Sequence, residues 1–331
     1  MQKHYIGVDI SKDTLAVAYF TSDNSRIYTE YKNTKKGIGH LIKMARKLTN
    51  AHIVLEDTGS YGKRLLHTLF TAGIPCSMLT SSQSKGFRDA LKSLNKTDPG
   101  DAAALAVYGE RMQPPTYELP LPEQEQMSQI RTYIKGLQID KNRIENKLHA
   151  LEHEMTKNKF VIKKLKESLD ACKKNIDEAM NQLTDLQSEQ NKEAIKNAES
   201  VVGIGPKTAL FLVAMTDGFK NFDDAKKVAK FFGLCPTTFE SGTSVRKRSR
   251  ISKKGNGYIR ALLYMCARSA KQHNQACKEL YERLRAKGKP HKLAMVAVAH
   301  KLLRQVFAVV KEQKTFDRNF YANIQKNANL A

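Results

Sequence analysis

Apolar residues in the first third of the chain form short runs that alternate with helical spacings. The runs are rich in strand-forming residues, and the segments between them carry apolar residues every three or four positions. The strands are expected at residues 5–8, 14–20, 26–31, 53–55 and 74–79, and the helices at 37–48, 60–70, 81–94 and from 97 to 112. Three early strands followed by alternating helices and strands predict an α/β domain with a mixed sheet at residues 1–115. The proline-rich segment 113–122 is interpreted as a linker.

The middle third has a different period, because its apolar residues recur in heptads. Fifteen of seventeen heptad positions are apolar, and the segment 130–186 contains no proline. One series is Ile130, Leu137, Ile144, Leu151, Asn158, Leu165, Cys172, Ala179 and Leu186, and the other is Ile134, Lys141, Leu148, Met155, Ile162, Leu169, Ile176 and Leu183. This pattern predicts a coiled coil within residues 123–196.

The coiled coil allows two architectures. A single helix would be about 85 Å long at 1.5 Å per residue, whereas a break near residues 156–159 would make a helical hairpin. An ordinary pair of helices within one chain is a further alternative. Because apolar heptads need a partner, we expect a homodimer or a higher oligomer through this segment.

The last third is predicted to be mainly helical, with a domain at 197–315 and a tail at 316–331. Helices are expected at residues 256–273, 275–287 and 291–312, and the basic segment 239–251 as a hairpin or loop. Gly203, Gly205 and Lys207 lie in a turn similar to a helix-hairpin-helix, whose backbone N–H groups could hold a phosphate. A plain turn between two helices is the alternative.

Charge indicates the class of partner. The net charge is +23, of which residues 201–331 contribute +18, residues 1–120 +5 and residues 121–200 zero. A basic surface of this size favours a nucleic acid over an anionic membrane, and the absence of an apolar run of 18 residues argues against a membrane-spanning helix. The beginning of the chain does not resemble a signal peptide, and five scattered cysteines indicate free thiols in a reducing cytoplasm. The predicted backbone-binding cations are Arg246, Lys247, Arg248, Arg250, Lys253, Lys254 and Arg260.

Four carboxylates stand out by their positions. Asp9 and Glu56 each end an apolar strand, and Asp98 and Asp101 lie one helical turn apart at a helix start with Thr97 as a candidate N-cap. Four converging carboxylates would bind hard divalent cations, most simply two Mg²⁺ ions with Mn²⁺ as a substitute, which can polarise a phosphodiester. The alternative is that these acids stabilise a helix start and reach solvent at strand ends.

Ser241 is the second candidate for chemistry. It precedes Gly242 in a basic segment, where seven Lys and Arg residues and no acid occupy residues 244–260. A serine in such a segment could attack phosphorus while arginines neutralise the developing charge. A turn that only binds phosphate is the alternative.

Read in order, the motifs resemble a known family. They are GVDIS, LEDTG, KTD followed by DA, the heptads, VVGIGPKTA, ESG and RISKKGN. The chain resembles the DEDD transposases of the insertion-sequence-110 family, and its Glu-Ser-Gly resembles the 1111-type branch. The resemblance implies a RuvC-like, RNase H-type N-terminal domain with metal ligands Asp9, Glu56, Asp98 and Asp101. It also implies a C-terminal transposase domain with Ser241 as nucleophile and Ser244 as a rival.

The resemblance carries further implications for partners. Members of the family are recombinases guided by a structured bridge RNA that pairs with donor and target DNA, and the acids of one subunit are thought to act with the serine of another. Two other functions remain open at this stage. One is a RuvC-type endonuclease or resolvase that uses metal-activated water alone, and the other is a non-catalytic coiled-coil protein that binds nucleic acid.

Overall fold

The computed structural model describes residues 3–91, 97–241, 245–252 and 254–319, with the backbone alone for residues 237–241 and 245–250. The chain divides into two compact units, Met1–Leu121 and Pro122–Ala331. Each unit has its own hydrophobic core, as expected for a chain of this length.

The first unit is built on a five-stranded mixed sheet. Its strand order is β3-β2-β1-β4-β5, with β1 antiparallel to β2 and parallel to β4. The strands are β1 His4–Ile10, β2 Thr14–Phe20, β3 Arg26–Lys32, β4 Ala51–Glu56 and β5 Cys76–Leu79, and the helices are α1 Lys35–Ala45, α2 Lys63–Thr71, α3 Ser81–Ala90 and α4 Asp98–Met112. The mixed sheet predicted from the sequence is therefore confirmed.

Helix α4 lies directly against the sheet because both surfaces are lined by small residues. A side chain at Gly7 of β1 would collide with the carbonyl oxygen of Ala102 and lie 2.6 Å from the amide nitrogen of Ala106. The neighbouring strand contributes the buried residues Ala16 and Ala18 to the same contact. Small residues on both sides fix the height and position of α4 over β1 and β2.

The segment predicted to be a linker is partly fastened to the sheet. The amide of Tyr117 donates to the carbonyl oxygen of Cys76 over 2.7 Å, and the Ser77 hydroxyl donates to the carbonyl oxygen of Pro115 over 2.7 Å. Ser77 also contacts the ring of buried His52 over 2.7 Å. The boundary between the units consequently lies after Leu121, several residues beyond the predicted domain end at 115.

The heptad segment folds as a helical hairpin. Helix α5 spans Pro122–Glu152 and helix α6 spans Lys159–Asp185, and the two helices pack against each other. The Asn158 side chain accepts from the amides at the start of α6 and caps it. The single long helix is therefore wrong and the hairpin alternative correct, while a coiled coil between subunits stays a prediction.

The hairpin is not separate from the C-terminal helices. Ile134 of α5 and Ile176, Ala179 and Leu183 of α6 are buried in one core with those helices. The end of the predicted coil, up to residue 196, belongs to another helix, which packs on its successor. These C-terminal elements are α7 Glu189–Ser200, α8 Pro206–Thr216, α9 Ala225–Phe232, β6 Pro236–Ser241, β7 Val245–Ile251, α10 Gly257–His273, α11 Gln275–Ala286 and α12 His291–Lys311.

Helix α12 forms the centre of this second core. In the described part of the chain it is the helix whose length and composition would suffice to cross a membrane. Its residues Leu302, Leu303 and Val306 are fully buried among the surrounding helices, so packing accounts for its apolar character. The predicted tail also begins later than residue 316, because Phe316 packs on this core and its amide donates to Ser200 Oγ over 2.7 Å.

Candidate active site

Asp9 and Glu56 lie side by side at one edge of the sheet. Strands β1 and β4 are parallel, and their register pairs Val8 with Leu55. The next residue on each strand is one of the two acids, and neighbouring strands lie about 4.8 Å apart. Both acids are partly exposed, whereas the residues just before them are buried, so both carboxylates can reach solvent at the ends of their strands.

Helix α4 brings the other two acids to the same side of the sheet. Thr97 caps the helix, its hydroxyl accepting from the amide of Gly100 over 3.3 Å, so Asp98 and Asp101 occupy the first turn. Because side chains alternate along a strand, Asp9 faces the same side as Gly7, against which the helix packs. The close packing of the α4 backbone on Gly7 thus determines the distance of Asp101 from the sheet.

An arginine occupies this acidic edge. The Arg88 guanidinium on α3 lies 2.6 Å from Oδ2 of Asp101, whose side chain is 8% exposed. The hydrogen bond to Asp101 raises the pKa of Arg88, and the charges of Asp101, Glu56 and Asp9 raise it further. Arg88 therefore lies within the electrostatic field of three of the four acids.

Tyr28 lies on β3, two strands away from β1 in the sheet. Its hydroxyl donates to Oε2 of Glu30 over 3.3 Å. Burial raises the pKa of Tyr28, and the charges of Glu30, Asp98 and Asp9 contribute to the increase. The charges that raise the pKa values of Tyr28 and Arg88 together include those of all four predicted acids.

The donor set has the chemistry of a divalent metal site, but its geometry is incomplete. Carboxylate oxygens are the ligands that Mg²⁺ prefers. Across residues 3–91, 97–241, 245–252 and 254–319, however, no three His, Cys, Asp or Glu side chains are close enough to hold one ion. Arg88 already binds one of the four donors, so a metal ion could use Asp101 fully only if the guanidinium left.

Sequence reasoning missed Arg88 because no spacing links it to the acids. Its position depends on the packing of α3 against α4, where Phe87 and Tyr108 make an edge-to-face contact with ring centroids 5.0 Å apart. A lone cation on a predicted amphipathic helix would ordinarily be assigned to a solvated face. The partner of Arg88 becomes evident only from the tertiary structure.

Ser241 ends a strand of a two-stranded hairpin. It is the last residue of β6 and pairs with Val245, the first residue of β7. Arg246, Lys247, Arg248 and Arg250 follow along the backbone of β7. The rival nucleophile Ser244 and the predicted contact Lys253 lie outside the described residues.

The other predicted nucleic-acid contacts differ in their surroundings. Gly203 has a φ of +105°, and a side chain there would lie 2.7 Å from Cβ of Ala270, so close packing on α10 requires glycine. Gly205 begins α8 with open space around it, and Lys254 is exposed. The turn joins two ordinary helices, and a helix-hairpin-helix function stays a prediction.

Two of the predicted cations make contacts within the protein. The Lys207 ammonium donates to Oε1 of Gln138 over 2.6 Å and lies 5.7 Å from the centroid of the Tyr258 ring, and burial lowers its pKa. Arg260 donates to the carbonyl oxygen of Phe232 over 3.1 Å at the end of α9. These contacts give both side chains a structural role, which the prediction of phosphate binding did not anticipate.

Comparison with known proteins identifies the family. A transposase model of the IS110 DEDD type matches residues 6–155, and the model of the IS116/IS110/IS902 transposase family matches residues 195–282. The pilin gene-inverting protein of Moraxella lacunata is 26% identical over 97% of this chain and all of its own length. The transposase for insertion sequence element IS1111A of Coxiella burnetii is 24% identical over 94% of this chain and 90% of its own.

A solved structure, T. thermophilus RuvC in complex with a Holliday junction substrate, matches 34% of this chain and 96% of its own, with 14% identity and a TM-score of 0.26. The family matches lie in both units, and the first includes the strands and the helix that carry the four acids. The chain belongs to the IS116/IS110/IS902 family of DEDD transposases and is an enzyme that cleaves and rejoins DNA.

Proposed function

We propose that this enzyme is an insertion-sequence recombinase that uses both a divalent metal site and a serine nucleophile. The metal site would consist of Asp9, Glu56, Asp98 and Asp101, and the nucleophile would be Ser241. The observation that carries the proposal is the in-register placement of Asp9 and Glu56 beneath the first turn of α4. Bringing the carboxylates of Asp9, Glu56 and Asp101 near one half-buried arginine is electrostatically costly unless a cation offsets their charge, which supports a metal-binding role for these acids.

The serine supplies the covalent step. Ser241 Oγ forms a bond to the phosphorus of a DNA phosphodiester, the bond from phosphorus to the 3′ oxygen breaks, and that oxygen leaves as a hydroxyl after taking a proton. In the rejoining step a 3′ hydroxyl attacks the phosphoserine, and the serine recovers its proton. The number of phosphate ester bonds is conserved, so no ATP is needed. When bound, Mg²⁺ would polarise the phosphate and stabilise charge on the departing oxygen.

The position of Ser241 supports this role. It ends the first strand of a two-stranded sheet whose second strand carries four cations, and cations near a reacting phosphate neutralise developing charge. We further propose that the enzyme acts in the prokaryotic cytoplasm as a homodimer or larger assembly, with the acids of one subunit serving the serine of another. A structured bridge RNA would pair with donor and target DNA, because base pairing supplies sequence choice in guided systems.

Complementation between two inactive variants tests the composite site. Asp9→Asn and Ser241→Ala should each abolish cleavage alone. If acids and serine come from different subunits, each mixed dimer retains one intact site of its two, and mixing the two proteins should restore cleavage at that one site. A site within one subunit would give no restoration, which would contradict the composite arrangement.

A covalent adduct tests the serine itself. Wild-type protein incubated with cognate DNA, guide RNA and Mg²⁺ should yield a protein–DNA adduct that resists denaturation, and Ser241→Ala should yield none. Ser244→Ala is the matched control and should retain the adduct. Cleavage by Ser241→Ala at the wild-type rate would instead support a RuvC-type endonuclease that uses water, and binding without cleavage by the wild-type protein would support a non-catalytic protein.

A further inference from the structure

A large groove lies on the second unit. Its volume is about 1660 Å³, and it runs between α11, the outer face of α12 and the described end of the chain. Leu293, Val296, Ala297 and Val309 of α12 contribute an apolar floor. Leu293 is 46% exposed, which is unusual for a leucine on the central helix of a core.

The rim of the groove is basic. Five exposed cations line it, and among the described residues none of them forms an ion pair. They are Arg283, Lys292, Arg304, Lys314 and Arg318. The acids in the lining are Glu312 and Asp317. Cations outnumber acids, so the groove is complementary to a polyanion.

The combination of an apolar floor and a basic rim selects one form of nucleic acid. A duplex presents phosphates and sugars outward and keeps the faces of its bases stacked, so it could use the rim but not the floor. A single strand offers phosphates to the cations and unstacked bases to apolar side chains. Phe316, which also lines the groove, provides an aromatic ring for stacking.

The location of the groove favours DNA as the strand. Pro236 and Ile251 line the groove. They pair with each other at the start of β6 and the end of β7, and the other end of β6 is Ser241. If the enzyme exchanges DNA one strand at a time, it must hold the exchanged strand while that strand is unpaired. We propose that this groove binds a short single-stranded segment of the DNA being exchanged and leads it toward the β6–β7 hairpin. The proposal rests on the DNA chemistry of the family and does not require Ser241 to be the nucleophile.

Charge reversal on the rim tests the proposal by binding alone. The double variant Lys292→Glu/Arg304→Glu in the full chain is compared with Lys278→Glu/Lys287→Glu. The control pair makes the same change in charge at exposed positions of the same unit outside the groove. Fluorescence anisotropy with a labelled mixed-sequence DNA 12-mer, its duplex and the RNA 12-mer reports affinity at several salt concentrations.

We expect the groove variant to lose at least about tenfold in affinity for single-stranded DNA, and the magnitude of its salt slope to fall by about 1.4 for two lost phosphate contacts. Leu293→Ser should weaken single-strand binding about threefold, through lost contact with the bases, and leave duplex binding unchanged. The control pair should lose much less of the single-strand affinity. Because these readouts measure binding, failure of the serine mechanism would not alter them.

Four outcomes would overturn the proposal. Equal losses of affinity in the groove and control variants would show that only the overall charge of the protein matters. Equal losses of affinity for duplex and single-stranded DNA would show that the apolar floor does not contact the bases. A loss confined to RNA would assign the groove to a guide. A change in oligomeric mass by mass photometry, with unchanged DNA affinity, would instead show that a second copy of the chain occupies it.

Discussion

Arg88 should behave as a resident cation that competes with the metal ion for Asp101. The perturbation is Arg88→Gln, which removes the charge but keeps a hydrogen-bonding side chain of similar length. Without metal, the carboxylate of Asp101, a residue that is 6% exposed, loses the guanidinium 2.6 Å away. Removing one partner of a buried pair costs about 3–5 kcal/mol. Partial exposure of Arg88 and the retained amide reduce this to about 2 kcal/mol, or a Tm decrease of about 8 °C for the first unit.

Mg²⁺, in contrast, should bind more tightly to the variant than to the wild-type protein. In the wild-type protein a divalent ion must displace the guanidinium, whereas in the variant it meets an acid without a cation. A competing interaction of about 1.4 kcal/mol corresponds to a tenfold change in Kd, so the variant should bind Mg²⁺ about tenfold more tightly. Its Tm should consequently rise more steeply with Mg²⁺ than that of the wild type, because ligand binding stabilises the folded state.

Thermal unfolding over a Mg²⁺ titration, together with calorimetric Kd values, measures both effects. Lys85→Gln is the matched control, because Lys85 lies one turn earlier on α3 and is exposed. It should change neither the Tm without metal nor the Mg²⁺ dependence. If Arg88→Gln and Lys85→Gln respond to Mg²⁺ in the same way, Arg88 does not compete for the site and the reasoning fails.

Three other variants test backbone packing and side-chain contacts within the two units. Gly7→Ala should destabilise the first unit by about 3 kcal/mol through collision with the α4 backbone, as measured by urea unfolding, and a loss under 1 kcal/mol would contradict the packing described. Burial lowers the pKa of His52 to about 4 from 6.5, so the unfolded chain binds more protons between those values. Stability should therefore be full above pH 6.5 and fall by up to about 3 kcal/mol as the pH decreases to 4, a slope that His52→Gln should remove. Lys207→Met should lower the Tm, through loss of the bond to Gln138 worth about 1 kcal/mol, but leave DNA affinity unchanged; a selective loss of DNA affinity would restore its predicted role.

Local patterns were sufficient for most of the elements. The apolar runs of β1 and β2 and the cap at Thr97 follow from residues within a few positions of one another. The sequence also identified the acids at positions 9, 56, 98 and 101, because each occurs at the end of a strand or the start of a helix. It could not choose between one long helix and a hairpin, since both bury the same heptad residues.

Tertiary structure decided the contacts between distant residues. Arg88 meets Asp101 because α3 packs on α4, and Lys207 meets Gln138 because α8 packs near the hairpin. The register of β1 and β4 places Asp9 beside Glu56, although 46 residues separate them in the chain. Hydrophobic periodicity specifies which face of each element is buried, but it carries no information about which other element covers that face. The packing of one element against another therefore determines the partners of charged side chains, and this packing is seen only in the folded chain.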